Sequence, residues 1–213
     1  MGEYYKWVNI DKHEYLSPGS FDLGNKLYES SWPGTGLLRA LYTLLTSDWK
    51  GDSIVFLGDY TNLTYTVTNP VLKRLYEEHK ASGIVGYDSD YVEVEYKDIS
   101  YRFKEGNLSF FRYAVNHTKK EFFDVEKTRY YYKTLAPYTA VPVQKEQPYN
   151  PLPVLMVYSY ETIEYKGKEP VYEVPYDDKY RGLWLGDTIE VTDFRPPVEY
   201  MDKSGEYCLY DDE

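Results

Sequence analysis

Four carboxylates occupy corresponding positions in two similar parts of the chain and could support acid–base chemistry. Residues 8–15 resemble residues 115–122, and residues 49–54 resemble residues 184–189. The carboxylates that these matches pair are Glu14 with Glu121 and Asp52 with Asp187. A hydrolase of this kind needs two carboxylates within about 10 Å across a cleft. A carboxylate-based hydrolase is therefore one hypothesis for the function.

The same matches repeat residues that could bind a ligand or a partner. Asparagine and lysine also suit a hairpin turn, glutamate can pair with lysine, and the aspartate of a Gly-Asp turn can cap backbone amides. A structural role and a binding role both remain open. The predicted ligand- or partner-binding residues are Trp7, Asn9, Lys12, Trp49, Asn116, Lys119, Trp184, Tyr130, Tyr131 and Tyr132.

Other reactive side chains lack the partners that catalysis or metal binding requires. His13, His79 and His117 lie in no metal-ligand or catalytic motif, and His117 is interpreted as a surface turn residue. Cys208 has no neighbouring histidine and lies near an acidic terminus, which raises rather than lowers the pKa of a thiol. The sequence has no glycine-rich phosphate loop and no zinc-like spacing. We therefore predict no catalytic residue, no metal and no cofactor.

Composition restricts the classes of partner. The 213 residues carry a formal net charge of -11, which argues against a nucleic-acid binder because phosphate contacts need clustered Lys and Arg. The chain shows no signal peptide and no apolar run long enough to span a bilayer, so we predict a cytoplasmic protein without membrane association. The 27 tyrosines suit half-buried sheet faces and protein interfaces alike.

Periodicity predicts the elements of the first half of the chain. We expect a hairpin over 4–16, a buried strand over 53–57 and a half-solvated strand over 91–96. The leucine pattern at 36–46 predicts a helix with Thr35 as its N-cap. A second helix is predicted over 70–82, because Asn69 can cap it, Pro70 fits its first position and Gly83 can stop it.

The second half repeats the opening hairpin at 110–124. Further strands are predicted at 130–132, 152–160, 163–165 and 171–174, and residues 184–194 close the repeat. The second half is tyrosine- and proline-rich where the first half has the leucine helix. We predict a β-rich α+β fold of two internally duplicated, pseudo-symmetric units of antiparallel strands, with one or two helices in the first. The predicted units are 1–86 and 110–197, joined by connecting strands at 87–109 and followed by an acidic tail at 198–213.

The opening segment, MGEYYKWVNIDKHEY, and the later segment WKGDSIVFLGDY are similar to motifs of a family of small proteins from bacteria and some microbial eukaryotes. The resemblance covers mainly residues 1–60. It implies a related fold and carries over no catalytic residue.

Three functions remain as hypotheses. The first is a non-enzymatic cytoplasmic protein that binds and neutralises a protein partner, as immunity proteins and phage anti-defence proteins do, and the acidity of the chain suits a basic partner. It follows from the acidity, the tyrosine content and the lack of a catalytic set. The second is a small-molecule or nucleotide-binding protein whose ligand lies between the two units, sandwiched by Trp7, Trp49 and Trp184. The third is the carboxylate-based hydrolase.

Overall fold

The structure is a computed structural model and describes residues 3–21, 26–103, 110–135, 142–158 and 180–210. Strands dominate over helices, which confirms the predicted β-rich α+β fold. The strands are β1 Tyr5–Asn9, β2 Glu14–Leu16, β3 Ile54–Gly58, β4 Lys97–Asp98, β5 Tyr113–Asn116, β6 Glu121–Asp124, β7 Arg129–Leu135, β8 Pro142–Pro148, β9 Ile189–Thr192, β10 Met201–Asp202 and β11 Leu209–Tyr210. The α-helices are α1 Leu27–Ser30, α2 Gly36–Leu45, α3 Pro70–Ser82, α4 Asp88–Glu95 and α5 Leu152–Met156.

Two four-stranded sheets have the same topology. The first has the order β3-β1-β2-β4 and the second the order β9-β5-β6-β10. In each sheet a central hairpin pairs with an antiparallel strand on one side and a short parallel strand on the other. The registers also agree, since Asn9 lies opposite Glu14 and Asn116 opposite Glu121. The predicted internal duplication is therefore confirmed. A third sheet has the order β11-β7-β8.

The two predicted helices form where their end signals lie. The hydroxyl of Thr35 accepts a hydrogen bond from the Leu38 N–H at the start of α2. The side chain of Asn69 accepts from two backbone N–H groups at the start of α3, and Gly83 ends that helix with a φ of 74°. Both caps satisfy groups that a helix end leaves unpaired.

Two predicted strands are helices instead. The expected strand at 91–96 was wrong because residues 88–95 form α4, where the Asp90 carboxylate accepts from the Tyr87 N–H and caps the helix. The expected strand at 152–160 was also wrong over 152–156, which form α5. All five residues of α5 are buried, and periodicity cannot distinguish a fully buried helix from a buried strand. The strands predicted at 163–165 and 171–174 lie outside the described residues.

Helix α5 is the counterpart of α2. The sequence patterns predicted no helix in the second unit that corresponds to α2. The Trp49 N–H donates to the carbonyl of Leu44 at 2.8 Å, and the Trp184 N–H donates to the carbonyl of Leu155 at 2.9 Å. Each acceptor is the penultimate residue of its helix. The helices are exchanged between the units, since α2 packs on β9 and α5 packs on β3. Trp49 and Trp184 consequently lie in one shared hydrophobic core.

The outer faces of the two sheets are covered differently. The first sheet carries a second core, in which side chains of β1 and β3 pack against α3 and α4. The second sheet carries a small cluster of Tyr113, Val115 and Phe122, with the half-buried Tyr200 packed against it.

Candidate functional site

The repeated polar residues of the first unit form one hydrogen-bonded cluster. The Asn9 Nδ2 donates to the Asp52 carboxylate at 2.8 Å, and the Lys12 Nζ pairs with the same oxygen at 2.8 Å. The Asn9 Oδ1 accepts from the backbone N–H groups of Asp11 and Lys12, both at 2.9 Å. Asn9 therefore ties the hairpin turn to the Gly-Asp turn that precedes β3.

The second unit reproduces this cluster. The Asn116 Nδ2 donates to the Asp187 carboxylate at 2.7 Å, and the Lys119 ammonium pairs with the same oxygen. The Asn116 Oδ1 accepts from the Lys119 N–H at 2.9 Å. Gly186 of this turn has a φ of 85°, a left-handed conformation that glycine adopts without strain.

The two glutamates accept from tryptophan rather than pairing with lysine. The Trp49 indole N–H donates to Glu14 at 2.9 Å. The Trp184 indole N–H donates to Glu121 at 2.6 Å and to the Tyr207 hydroxyl at 3.2 Å. These bonds satisfy indole groups that are completely buried.

A third match between the units was missed by the sequence analysis. Tyr96-x-Asp98-x-Ser100 corresponds to Tyr200-x-Asp202-x-Ser204. The Ser100 hydroxyl accepts from the Ser17 N–H at 2.7 Å, and the Ser204 hydroxyl accepts from the Asp124 N–H at 2.8 Å. The identical Tyr, Asp and Ser spacing was the signal that could have found it. The match places β4 and β10 at the ends of their respective repeats.

Five of the ten predicted binding residues lie inside the fold. Asn9, Asn116, Trp7, Trp49 and Trp184 are each 0 % exposed. The Trp7 Nε1 is buried without a hydrogen-bond partner among the described residues. A ligand sandwiched by the three tryptophans would therefore have to enter the shared core. The small-molecule alternative stays a prediction.

The remaining predicted binding residues reach the surface. The side chains of Lys12 and Lys119 are each 41 % exposed while paired with their aspartates. Tyr130, Tyr131 and Tyr132 are half-buried on β7, and the rings of Tyr130 and Tyr132 stack with centroids 5.4 Å apart. Their role in binding stays a prediction.

A surface that the sequence analysis did not identify combines exposed tyrosines with carboxylates. The Tyr60 and Tyr87 rings meet edge to face with centroids 5.6 Å apart. The backbone N–H of Tyr4 donates to the Asp59 carboxylate at 3.1 Å, and that of Tyr87 donates to Asp90 at 2.8 Å. We call these residues, together with Glu93 one turn along α4, the tyrosine–acid surface: Tyr4, Asp59, Tyr60, Tyr87, Asp90 and Glu93.

The three tyrosines of this surface project into solvent. Tyr4 and Tyr60 are each 47 % exposed and Tyr87 is 42 % exposed. Glu93 is also largely exposed and pairs with the buried ammonium of Lys6. The surface follows the end of β3 and the start of α4, so residues distant in the sequence meet there. This distance explains why sequence patterns did not reveal it.

All three histidines take part in polar contacts outside these clusters, and His13 lies 3.4 Å from the Glu78 carboxylate. His117 lies between the Tyr200 hydroxyl at 2.9 Å and the Glu190 carboxylate at 2.7 Å on the outer face of the second sheet. His79 contacts the buried carboxylate of Asp88 at 2.9 Å.

Burial raises the pKa of the Cys208 thiol. A buried thiol of raised pKa is a poor nucleophile.

The four repeated carboxylates each accept hydrogen bonds within their own unit, as described above. The hydrolase alternative would need at least one of them to be released from its partner, and it stays a prediction. No group of three or more His, Cys, Asp or Glu side chains in the described ranges could hold a metal ion. Within the same ranges no helix is long and apolar enough to cross a membrane.

Neither a protein-family model, nor a curated protein, nor a solved structure matches the chain.

Proposed function

We propose that this is a non-enzymatic cytoplasmic protein that binds a basic protein partner through the tyrosine–acid surface and thereby neutralises it. The observation that carries the proposal is the clustering of three exposed tyrosines with carboxylates on one continuous surface. Asp90 and Glu93 make contacts within the fold but remain exposed. The repeated Asn9 and Asn116 are completely buried.

The chemistry of this surface suits a partner rich in lysine and arginine. Tyrosine supplies a large contact area with few rotatable bonds, and it is enriched at the energetic centres of interfaces. The faces of its ring also attract guanidinium and ammonium groups. Asp90 and Glu93 lie three residues apart on α4 and therefore present their carboxylates on one side of the helix. A basic partner can contact the rings and the carboxylates together.

The overall charge favours the same class of partner. A formal net charge of -11 attracts a basic protein over a distance and increases the rate of encounter. This contribution falls as salt screens the charges. The association rate with the partner should accordingly fall steeply with ionic strength, while the contacts of the tyrosine rings should be less sensitive.

The test compares variants of two exposed tyrosine sites. Tyr60→Ser combined with Tyr87→Ser removes the aromatic pair, and Tyr101→Ser serves as the control because Tyr101 is 60 % exposed and outside this surface. The partner is first captured from host lysate with the native protein, then purified and titrated by calorimetry. We expect the double variant to weaken binding by roughly a hundredfold, since a hot-spot tyrosine contributes about 1–2 kcal/mol.

The control variant should bind within about twofold of the native protein, because a peripheral surface residue contributes little. Circular dichroism of all variants verifies that they are folded. The proposal is wrong if the purified partner binds the double variant as tightly as the control, or if no basic protein is recovered in stoichiometric amount.

A further inference from the structure

A groove of about 300 Å³ runs beside β9, at the junction of the two units. Its apolar walls come from Leu45, Phe111, Val191 and Phe194. Charged side chains on its rim are Glu190, Asp193 and Lys50. We call it the β9 groove.

The corresponding edge of the first sheet is occupied by the chain itself. Val157 forms a parallel β-bridge with Phe56, and the Tyr158 N–H donates to the Phe56 carbonyl at 3.3 Å. Phe56 lies opposite Trp7 in the first sheet, and Val191 lies opposite the equivalent Ala114 in the second. Val191 therefore occupies the position on β9 that Phe56 occupies on β3.

The backbone groups of Val191 lie on the edge of β9 that faces away from β5. Along two antiparallel strands, hydrogen-bonded pairs of residues alternate with pairs that share no hydrogen bond. The His117 N–H donates to the Thr188 carbonyl, so the residues that are hydrogen-bonded to β5 are Thr188, Glu190 and Thr192. The N–H and carbonyl of the intervening Val191 consequently face away from β5. Among the residues that the structure describes, no hydrogen bond reaches either group. Val191 is only 2 % exposed, and an unpaired backbone group shielded from water is costly.

The difference between the two edges follows from the chain lengths after α2 and α5. Val157 caps α5 in an extended conformation with a ψ of 140°. Because 26 residues separate Val157 from Trp184 in the sequence, the chain need not turn back at once, and Val157 and Tyr158 lie along β3. Thr46 caps α2 in a helical conformation with a ψ of -5°, because Ser47 and Asp48 alone separate it from Trp49. The chain must turn back at once, and no other described strand pairs with the edge of β9 that faces away from β5.

We infer that the β9 groove binds an extended peptide segment of a partner protein, which adds to β9 as residues 157–158 add to β3. The peptide N–H would donate to the Val191 carbonyl, as the Tyr158 N–H donates to that of Phe56. Strand addition of this kind obtains affinity from main-chain hydrogen bonds and specificity from side-chain pockets. This binding site is separate from the tyrosine–acid surface and does not depend on it.

The walls and rim specify the chemistry of the peptide. Thr46 occupies the position that Val157 occupies beside β3, so the peptide residue that enters the groove lies beyond Thr46. It lies between Leu45 and Phe194 and should therefore be aliphatic. Two carboxylates, one of which also contacts His117, stand against one ammonium on the rim and favour a neighbouring lysine or arginine. The predicted ligand is an extended segment with an aliphatic residue flanked by basic ones.

The probe is a synthetic peptide, acetyl-Lys-Met-Val-Tyr-Lys-amide, whose centre copies residues 156–158. It is titrated into the ¹⁵N-labelled native protein and followed by amide chemical shifts. We expect shifts at Leu45, Thr46 and residues 191–194. A peptide methylated on the tyrosine nitrogen lacks the donor for Val191 and should bind about tenfold more weakly. A peptide with glutamates in place of the lysines should also bind more weakly.

Matched protein variants complete the test. Thr46→Trp places a bulky ring at the groove from an exposed position and should abolish binding, whereas Thr68→Trp makes the same change at an exposed position outside the groove and should leave it intact. The inference is overturned if the lysine peptide shifts none of these amides at millimolar concentration. It is also overturned if methylation of the tyrosine nitrogen does not weaken binding, or if the two tryptophan variants bind the lysine peptide equally. Titration of the Tyr60→Ser and Tyr87→Ser double variant should match that of the native protein, which separates this site from the tyrosine–acid surface.

Discussion

The two sheets share strand order, register and three sequence matches, yet the layers outside them differ. Between β3 and β4 the first unit inserts α3 and α4, which bury the outer face of their sheet in a second core. Between β9 and β10 the second unit has the short stretch 193–200, and Tyr200 packs on a cluster of three residues. The shared sheets are therefore the part that the repeat needs in order to fold, and the outer layers are what each copy has added.

The repeat needs a hydrogen-bonded polar cluster at the hairpin turn and a buried tryptophan that donates to the hairpin glutamate. Both copies keep the Asn–Asp–Lys cluster and the Trp–Glu hydrogen bond with similar distances. The additions carry the surface features on which the proposals depend. The tyrosine–acid surface lies at the junction of β3 with the inserted helices. The β9 groove lies beside the end of α2, where the chain turns back instead of extending along the sheet edge as it does after α5.

The largest effect is expected from removing the indole N–H of the two equivalent tryptophans. Trp184→Phe leaves the buried carboxylate of Glu121 with Tyr207 as its remaining partner, whereas Trp49→Phe leaves the half-buried Glu14 accessible to water. We expect the free energy of unfolding to fall by about 3 kcal/mol for Trp184→Phe and by about 2 kcal/mol for Trp49→Phe. Urea denaturation followed by circular dichroism measures both. Equal losses would show that the environments of the two glutamates do not differ energetically.

A smaller difference should separate the equivalent valines on the two outer faces. Val8 is enclosed by α3 and α4, while Val115 belongs to the small cluster that can relax toward solvent. Val8→Ala should therefore lower the free energy of unfolding by about 2 kcal/mol and Val115→Ala by about 1 kcal/mol, because the cost of a cavity depends on how far its walls can collapse. The same urea titrations test this. A larger loss for Val115→Ala would contradict the assignment of the second core to the first sheet alone.

The smallest effect concerns the contribution of Asp202, a residue of the third match, to the stability of the fold at low pH. Burial raises the pKa of Asp202, but hydrogen bonds from the Ser204 hydroxyl and N–H and from Lys127 outweigh it, so the pKa of this carboxyl lies below its usual value. Because the pKa of this carboxyl is lower in the folded state than in the unfolded state, the carboxylate stabilises the fold fully above its unfolded pKa of about 4. This contribution is lost as the pH falls below about 4 and through the lower pKa of the folded state.

Asp202→Asn should consequently flatten the decrease in stability between about pH 5 and pH 2. Thermal unfolding across this range measures the effect, and Lys127→Met should flatten the decrease partly. If Asp202→Asn leaves the acid branch unchanged, the lowered pKa of Asp202 contributes nothing to folding.

Sequence reasoning recovered the elements whose signals are local. The hairpins, α2 and α3 were predicted because periodicity and caps such as Thr35 and Asn69 act within one or two turns. It failed at α4 and α5. In α4 the alternation of apolar and acidic residues imitated a strand, and in α5 complete burial removed the polar face that identifies a helix.

The candidate sites were less accessible to such reasoning. The repeated residues were correctly paired between the copies, but their partners were not, since lysine pairs with aspartate and glutamate accepts from tryptophan. Those choices depend on how the Gly-Asp turn packs against a hairpin some forty residues away in the first copy and some seventy in the second.

The sequence by itself determined that this chain is an acidic, tyrosine-rich duplication of a hairpin and a Gly-Asp turn, because repeats and local turn chemistry are written in neighbouring residues. Tertiary structure alone decided that α2 and α5 exchange units, that the tryptophans share one core, and that an edge of β9 has no partner strand among the described residues. The physical reason is that burial and backbone pairing between distant segments depend on the chain lengths that connect them and on which faces meet. No local pattern of residues specifies either.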